Sequence, residues 1–262
     1  MPTIHPTAII DESATIAADA SVGPYCIIGP NCHIGEGTRL RNHVTLICNT
    51  TLGKHNDVYP NAVLGGDAQD YKFKGEEAFL AIGDHNVIRE NVTLSRATGE
   101  GMTTVMGNHN MMMAYSHMGH NSSMGDYNTI ANTVQIAGHV DIANHVTIGG
   151  MAAVHQGVKI GSHAMIGGCA AARMDVPPFA LMGGNERAVL AGINVIGLRR
   201  AGIDSQERTK LKRAFRILFF ENTPQNEAIA MLKSEDDISA PAVQKLIDFM
   251  EADSSRGISR SR

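Results

Sequence analysis

Apolar residues recur every six positions along most of this chain. Counting in sixes from Ile4 gives Ile10, Ile16, Val22, Ile28, Ile34, Leu40, Leu46, Leu52, Val58 and Leu64. The frame returns at Ile82, Ile88 and Leu94. It returns again at Met106, Met112, Met118, Met124, Ile130, Ile136, Ile142, Ile148, Val154, Ile160 and Ile166. With 43% hydrophobic residues, eleven consecutive hits in one frame have a chance of about 1 in 10,000, and this happens twice. A helix repeats about every 3.6 residues and a strand every two, so neither alone makes the pattern. A solenoid does, and it fixes which distant residues share a surface.

The repeat has more than its apolar heads. The next residue is often Gly, as at Gly23, Gly29, Gly35, Gly53, Gly65, Gly83, Gly107, Gly119, Gly125, Gly149, Gly161 and Gly167. Gly is expected there for a sharp turn or a positive φ. The residue two before the head is usually small, as at Ala8, Ala14, Ala20, Thr38 and Ala62. Each six-residue unit therefore reads as one short strand and one turn. Three units close a triangular coil of eighteen residues, and the 25 heads give about eight coils. The predicted fold is a parallel β-helix of hexapeptide repeats over residues 1–190.

Two segments, 66–81 and 97–104, carry no head. Loops leaving a rigid scaffold are where binding residues concentrate. The frame stops after Gly168, and Pro177-Pro178 marks the exit. From residue 204 the pattern is helical. Asp204 and Glu207 fit a capping box ahead of Leu211, Phe215, Leu218 and Phe219. Thr223-Pro224 fits the N-cap and first position of a second helix, and Val243, Leu246, Ile247 and Met250 mark a third. Residues 191–262 are thus expected to form a helical domain that caps the solenoid and covers its edge, ending in a loose tail over 254–262.

Composition excludes several classes. The net charge of −4 does not suit a nucleic-acid binder. The N-terminus lacks a basic region followed by an apolar run, and no stretch of about 18 apolar residues could span a membrane, so a cytoplasmic protein is expected. Cys26, Cys32, Cys48 and Cys169 form no CxxC pair. Cys26 and Cys32 occupy the small slot before a head, and Cys169 sits near the end of the repeat, so these three read as structural.

Histidine is the unusual residue, with twelve in 262. In an eighteen-residue coil Gly138 stacks over His120 and His139 over Asn121, so His117, His120 and His139 share one local surface. His155 takes a slot after a head where Gly or Ala is usual. His109, His145 and His163 read as solvated corner residues. A neutral imidazole can take a proton from an alcohol or ligate a metal. A metal site needs about three protein ligands, and no Cys or carboxylate accompanies His117 and His120 at ligand spacing. In the first headless segment, Gln69-Asp70-Tyr71-Lys72 offers a carboxylate for sugar hydroxyls and an ammonium for phosphate. The glycines form no GxxxxGK[ST] loop. The residues by themselves leave open an enzyme with a His base, a binding protein and a metal-dependent lyase.

At several segments the chain resembles the UDP-N-acetylglucosamine O-acyltransferases. These are HPTAI at 5–9, GGDAQDYKFKGE at 65–76, IRENVTLSRAT at 88–98, SHMGHN at 116–121, AGHV at 137–140, GGMAAVHQ at 149–156, DVPP at 175–178 and GINVIGLRRAG at 192–202. The resemblance covers nearly the whole chain. It implies a left-handed β-helix with a C-terminal helical domain, working as a homotrimer with sites between subunits. The implied reaction moves a (3R)-3-hydroxyacyl group from the phosphopantetheine of acyl carrier protein to the 3-hydroxyl of UDP-N-acetylglucosamine, the first step of lipid A synthesis. No further cofactor and no metal is implied.

The same resemblance assigns roles. His120 matches the general base and Gly138 the backbone donor to the oxyanion. Asp70, Lys72 and His117 match residues holding the glucosamine end, with Gln69 in the loop that bears on a hydroxyl against an amino acceptor. His139 matches a contact near the acyl group. His155 and Gln156 match contacts to the phosphates, and Asn194 and Arg200 match residues around the nucleotide and the pantetheine. Gly168 matches the position that sets acyl length, and its lack of a side chain leans towards a long chain.

Three positions depart from the family pattern. Asn121 replaces an Asp that orients the base, Ile196 replaces a Glu, and Ala201 replaces the second Arg of a pair, although Arg199 and Arg200 keep two cations. An Asn orients an imidazole without stabilising its charge. Asn121 and Ile196 keep a second reading open, a non-catalytic relative that binds nucleotide sugar or carrier protein. A zinc-dependent lyase of the γ-carbonic anhydrase type is a third. Lys210, Lys212, Arg213 and Arg216 form either a docking patch for an acidic carrier protein or a solvated helix face.

Overall fold

The computed structural model describes residues 1–184, 188–221 and 223–260. Short strands, most of them two residues long, end on the apolar heads, and three strands make one turn of a triangular parallel β-helix. The first face starts at Thr3–Ile4, the second at Ile9–Ile10 and the third at Thr15–Ile16. Each strand pairs in parallel with the strand one coil later, so Ile10 faces Ile28 and Ile28 faces Leu46.

Partners in regular coils are eighteen residues apart, but Val58 and Ile88 are thirty apart and Ile88 and Met112 twenty-four. Two insertions therefore leave the stack with its apolar heads still in register, at the cost of a local bulge between Leu64 and Gly66. Strands Val63–Gly66 and Phe79–Ile82 bound the first, and Thr93–Ser95 and Thr103–Met106 the second. The loops, 67–78 and 96–102, are shorter than the headless segments of the sequence. Leu80 and Thr104 account for the difference, because they already pair with each other and Leu80 with Thr50. Both loops leave by the corner between the second and third faces.

Inside, the heads stack in columns, and the residue two before each head fills the space beside it. Cys26 and Cys32 are buried in this slot, whereas Cys169 is exposed. At the corner between the third and first faces the slot holds Asn56, Asn86, Asn110 and Asn128, all buried. Each of the first three accepts the backbone N–H of the next through Oδ1 at 2.8 Å. Their Nδ2 groups donate to the carbonyls of Gly83, Gly107 and Gly125. Buried amides are tolerated because both ends are bonded. Asn128 ends the ladder. Its Oδ1 accepts from Val146, and its Nδ2 has no partner among the described residues.

The glycines after the heads serve a purpose other than the expected one. Of those named above only Gly65 has a positive φ. A Cβ on Gly29 would fall 1.8 Å from the carbonyl oxygen of Ile47 in the next coil, so close stacking is what excludes a side chain. The left-handed residue comes two places later and is commonly Asn, His or Tyr. His43, His55, His85, His109, His139, His145 and His163 all hold such positions. Asn and His are enriched there over most other side chains. The chain's surplus of histidine is largely this backbone requirement. Along one corner the rings of His55, His85, His109, Tyr127, His145, His163 and Phe179 stack with centroids 4.6 to 5.7 Å apart.

The two ends differ. At the N-terminus Ile4 is 40% exposed and Ile9 66%, and nothing covers the first coil among the described residues. At the other end the repeat continues past Gly168. Ala172 acts as a buried head in strand Ala171–Ala172, and Val176 bridges to Ile160. An alanine head escapes a search for large aliphatics. Strand Ala180–Gly183 extends the first face, and Val189–Ile193 pairs with it antiparallel, so the expected division at 190/191 falls within a strand.

Four α-helices follow among the described residues: α1 (Val195–Arg200), α2 (Ser205–Phe219), α3 (Gln225–Ser234) and α4 (Pro241–Glu251). Helix α2 packs on Val189–Ile193 and buries Leu211, Phe215, Leu218 and Phe219, as their spacing predicts. Asp204 caps α2 by accepting from Gln206 and Glu207. The expected capping box is not reciprocal, because Glu207 accepts instead from the Ala242 N–H in the first turn of α4, at 2.8 Å. Pro224, rather than Thr223, is the N-cap of α3. The tail is not loose through residue 260. Ile258 bridges Asp175, Ser259 is buried, and Leu190 N–H donates to Arg260. Ser261 and Arg262 lie outside the described residues. No helix among the described residues is long and apolar enough to cross a membrane.

Candidate active site

One corner, between the second and third faces, gathers most of the expected chemistry. Successive coils contribute loop 67–78, loop 96–102, then residues 119–121, 137–139 and 155–157. His120 is 6% exposed, and its Nδ1 lies 2.9 Å from Asn121 Oδ1. Asn121 Nδ2 donates to the Thr98 carbonyl at 3.0 Å, and Oδ1 accepts the Thr98 N–H at 2.9 Å. That double fit decides which end of the amide faces the ring. An oxygen faces Nδ1, so the neutral imidazole carries its hydrogen there and keeps its lone pair on Nε2. The Asn121 backbone is anchored in turn by Thr104 Oγ1 at 2.8 Å.

Nε2 of His120 lies 3.9 Å from Asp70 Oδ2. Gly138 stacks above it as the eighteen-residue register predicts, and a Cβ at 138 would fall 2.6 Å from Nε2. No backbone carbonyl among the described residues accepts the Gly138 N–H. His139 donates its backbone N–H to the His120 carbonyl at 2.9 Å, and its ring meets that of His120 edge-on at 5.1 Å. His117 stands on the second face with Nδ1 2.8 Å from Thr93 Oγ1. Burial, followed by the charge of His120, holds His139 below the usual imidazole range; burial does the same for His117.

The first loop is tied at both ends. Asp67 pairs with the buried guanidinium of Arg96. Asp70 accepts the Lys72 N–H at 3.0 Å, a local turn that holds its carboxylate, while Gln69 and Lys72 remain exposed. Glu76 reaches the second loop, accepting from the Thr98 hydroxyl at 2.7 Å and the Gly99 N–H at 2.8 Å. The Gly99 N–H, then that of Lys74 and the Thr98 hydroxyl, hold this carboxyl down at about 2. Farther along the corner, His155 and Gln156 are exposed, with His155 Nδ1 3.2 Å from the Gln156 carbonyl. A Cβ on Gly157 would lie 3.5 Å from Arg256 Nε, so a cation from the C-terminal segment lies beside Gly157, the next residue along this corner. The corner can accept a proton from a hydroxyl, offer an N–H to a developing oxyanion and bind a polar substrate in its loops. No group of three or more His, Cys, Asp or Glu among the described residues is placed to hold a metal ion.

A family model described as "Udp N-acetylglucosamine O-acyltransferase; Domain 2" matches residues 175–259. The acyl-[acyl-carrier-protein]--UDP-N-acetylglucosamine O-acyltransferase of Xanthomonas euvesicatoria is 44% identical over 252 residues, covering 96% of this chain and 95% of its own length. This chain belongs to the UDP-N-acetylglucosamine O-acyltransferase family. The solved structure of LpxA from Acinetobacter baumannii matches with a TM-score of 0.93 at 43% identity, over 98% of this chain and 99% of that one. The UDP-N-acetylglucosamine acyltransferase of Francisella novicida matches with a TM-score of 0.93 at 36% identity, over 99% and 94%. The β-helix is left-handed, as in these relatives.

The remaining residues expected from the acyltransferase family lie elsewhere in the chain. Gly168 is exposed at the corner between the first and second faces, where a Cβ would sit 3.2 Å from the Gly150 carbonyl oxygen. Asn194 caps α1, accepting from Gly197 at 3.0 Å and donating to the His163 carbonyl at 3.0 Å. Arg200 is exposed in the last turn of α1, Ile196 on the same helix is 65% exposed, and Ala201 is its C-cap. In the basic cluster of α2, Lys210 donates to the Ser239 carbonyl, Arg213 pairs with Glu235 at 2.6 Å and Arg216 with Glu221 at 3.0 Å. Lys212 and Arg216 line a cavity of 290 Å³ with Phe215 and Phe220. Sequence reasoning missed Thr98, Thr104, Glu76 and Arg256. The insert lengths hide which residues of loop 96–102 meet Asn121, and the signal that locates them is the strand register on either side.

Proposed function

We propose that the His120 corner transfers a (3R)-3-hydroxyacyl group from acyl carrier protein to the 3-hydroxyl of UDP-N-acetylglucosamine, the first step of lipid A biosynthesis. The observation that carries this reading is the His120–Asn121 pair, which leaves the Nε2 lone pair facing Asp70 and Gly138. Nε2 takes the hydroxyl proton as the sugar oxygen bonds to the thioester carbon. The carbonyl electrons move onto oxygen and meet the Gly138 N–H, a kind of donor worth about 2.7–4 kcal/mol. Collapse breaks the C–S bond, and the departing pantetheine sulfur takes the proton back from the imidazolium. No acyl-enzyme forms, and the carrier's phosphopantetheine is the only prosthetic group involved.

In this reading Asp70, Lys72 and His117 hold the glucosamine, with Gln69 favouring a hydroxyl acceptor, and His139 lies by the acyl group. His155 and Gln156 face the phosphates, with Arg256 adding positive charge. Gly168, Asn194 and Arg200 lie away from the His120 corner of their own chain, which supports a homotrimer whose sites are completed by a neighbour. The bare Gly168 corner favours a long acyl chain. A cytoplasmic location is part of the same proposal.

The test is acyl transfer by purified protein supplied with hydroxyacyl carrier proteins of several lengths and UDP-N-acetylglucosamine. His120→Ala is expected to lose about 10²–10⁴-fold in turnover. A wild-type rate in that variant removes His120 as the base. Tight sugar-nucleotide binding with no transfer at any chain length identifies a binding relative instead.

A further inference from the structure

Glu76 has no part in the chemistry above, yet it begins an unbroken line of hydrogen bonds that ends on the base. Its Oε1 accepts from the Thr98 hydroxyl and the Gly99 N–H, and its Oε2 accepts from Lys74 N–H at 2.7 Å. Thr98 then grips both ends of the Asn121 carboxamide, and that carboxamide meets His120 Nδ1. Four residues from the first loop, the second loop and the next coil are joined in series.

The polarity of the line matters. If the Asn121 amide flipped, its NH₂ would face the Thr98 N–H and its oxygen the Thr98 carbonyl, two repulsive contacts in place of two bonds. Its NH₂ would then also face Nδ1, which could accept only by moving the ring hydrogen to Nε2. That tautomer has no lone pair on the nitrogen under Gly138 and cannot act as base from there. The orientation of Thr98 therefore selects the imidazole tautomer. Apart from its backbone, Thr98 is held by one carboxylate, that of Glu76.

We propose that Glu76 is a positioning residue that sets the tautomer of His120 through Thr98 and Asn121. The proposal rests on His120 being the base. It couples two parts of the site, because the loop that carries Asp70 and Lys72 also carries Glu76. An ordered sugar loop and a correctly protonated imidazole then form together.

The experiment reads the tautomer directly, from the ¹⁵N chemical shifts of His120 in protein labelled at histidine, alongside steady-state kinetics. Wild type is expected to show hydrogen on Nδ1. In Glu76→Ala the ratio of Nε2–H to Nδ1–H should rise about fivefold, the effect of losing hydrogen bonds worth about 1 kcal/mol, and kcat should fall in proportion to the Nδ1–H population lost, by less than about twofold while that tautomer still makes up half or more of the population. Thr98→Val removes only the hydroxyl contact to Glu76 and keeps the backbone grip on Asn121, so it should shift the tautomer in the same direction by less. It also serves where Glu76→Ala does not fold. An unchanged tautomer in both variants, with KM alone raised, would overturn the proposal and leave Glu76 a loop staple. Absence of acyl transfer by wild type would overturn the reaction assigned above while leaving the ¹⁵N result to decide on Glu76.

Discussion

Gly138 lies so close over the imidazole of His120 that a Cβ at 138 would fall 2.6 Å from Nε2. The atom it would strike is the far end of a side chain, so the ring would yield before the backbone. Gly138→Ala is expected to leave the melting temperature nearly unchanged and to lower kcat/KM about 10²-fold, the cost of misplacing a reacting group by about 1 Å. Melting curves and kinetics on the same preparation separate this from a fold defect. A lower melting temperature with intact kcat/KM would show that the coil had moved instead.

The asparagine ladder should carry stability unevenly. Asn86→Ala leaves the buried Asn110 N–H and the Gly107 carbonyl without partners. Each orphaned group costs about 1–3 kcal/mol. Asn128→Ala strands only the Val146 N–H and removes an Nδ2 that already lacks a partner. Urea unfolding should therefore rank Asn86→Ala well below Asn128→Ala, and equal midpoints would contradict the ladder as described.

His163 makes stability depend on pH. Burial, then the charges of His145 and Lys245, lower it from 6.5 to about 4. The unfolded chain protonates this ring more readily than the folded one. Its contribution is thus complete above pH 6.5 and is lost as pH falls through about 4. His163→Phe keeps a ring between His145 and Phe179 and deletes the titration. Relative to that variant, wild type should lose stability over this interval, by well under the full linkage value because solvent screens a half-buried ring. A difference that stays flat with pH would place the acid sensitivity elsewhere.

Glu207 links two helices, as a residue of α2 that accepts the Ala242 N–H in the first turn of α4. Glu207→Ala should cost about 1 kcal/mol, the usual loss for a helix cap. Glu207→Gln, which keeps an acceptor oxygen, should recover most of it in the same denaturation assay.

The six-residue frame made the coils, the inward heads and the approach of His120, Gly138 and His139 legible before any coordinates. It could do so because parallel strands repeat without slippage, which turns sequence distance into spatial distance. It misjudged the glycines after the heads, since a close approach between coils and a left-handed backbone both select glycine. It set His109, His145 and His163 at corners without showing the left-handed backbone that selects histidine there. Glu76 and Thr98 were hidden because the insertions suspend the count just where they sit. The tail at Ile258 was hidden because it is held by backbone pairing with Asp175, which leaves no side-chain pattern.

Among the described residues nothing covers the coil of Ile4, Ile10 and Ile16, and this gives the described stack a direction in which to come apart. Each coil is steadied only by its neighbours. The first has one neighbour, and its heads stay partly exposed, whereas helices and the strand pairing at Asp175 lock the far end. Five coils precede the one that presents His120. Fraying in the described stack is therefore expected to spread like a slow fuse, from the Ile4 coil towards the reaction.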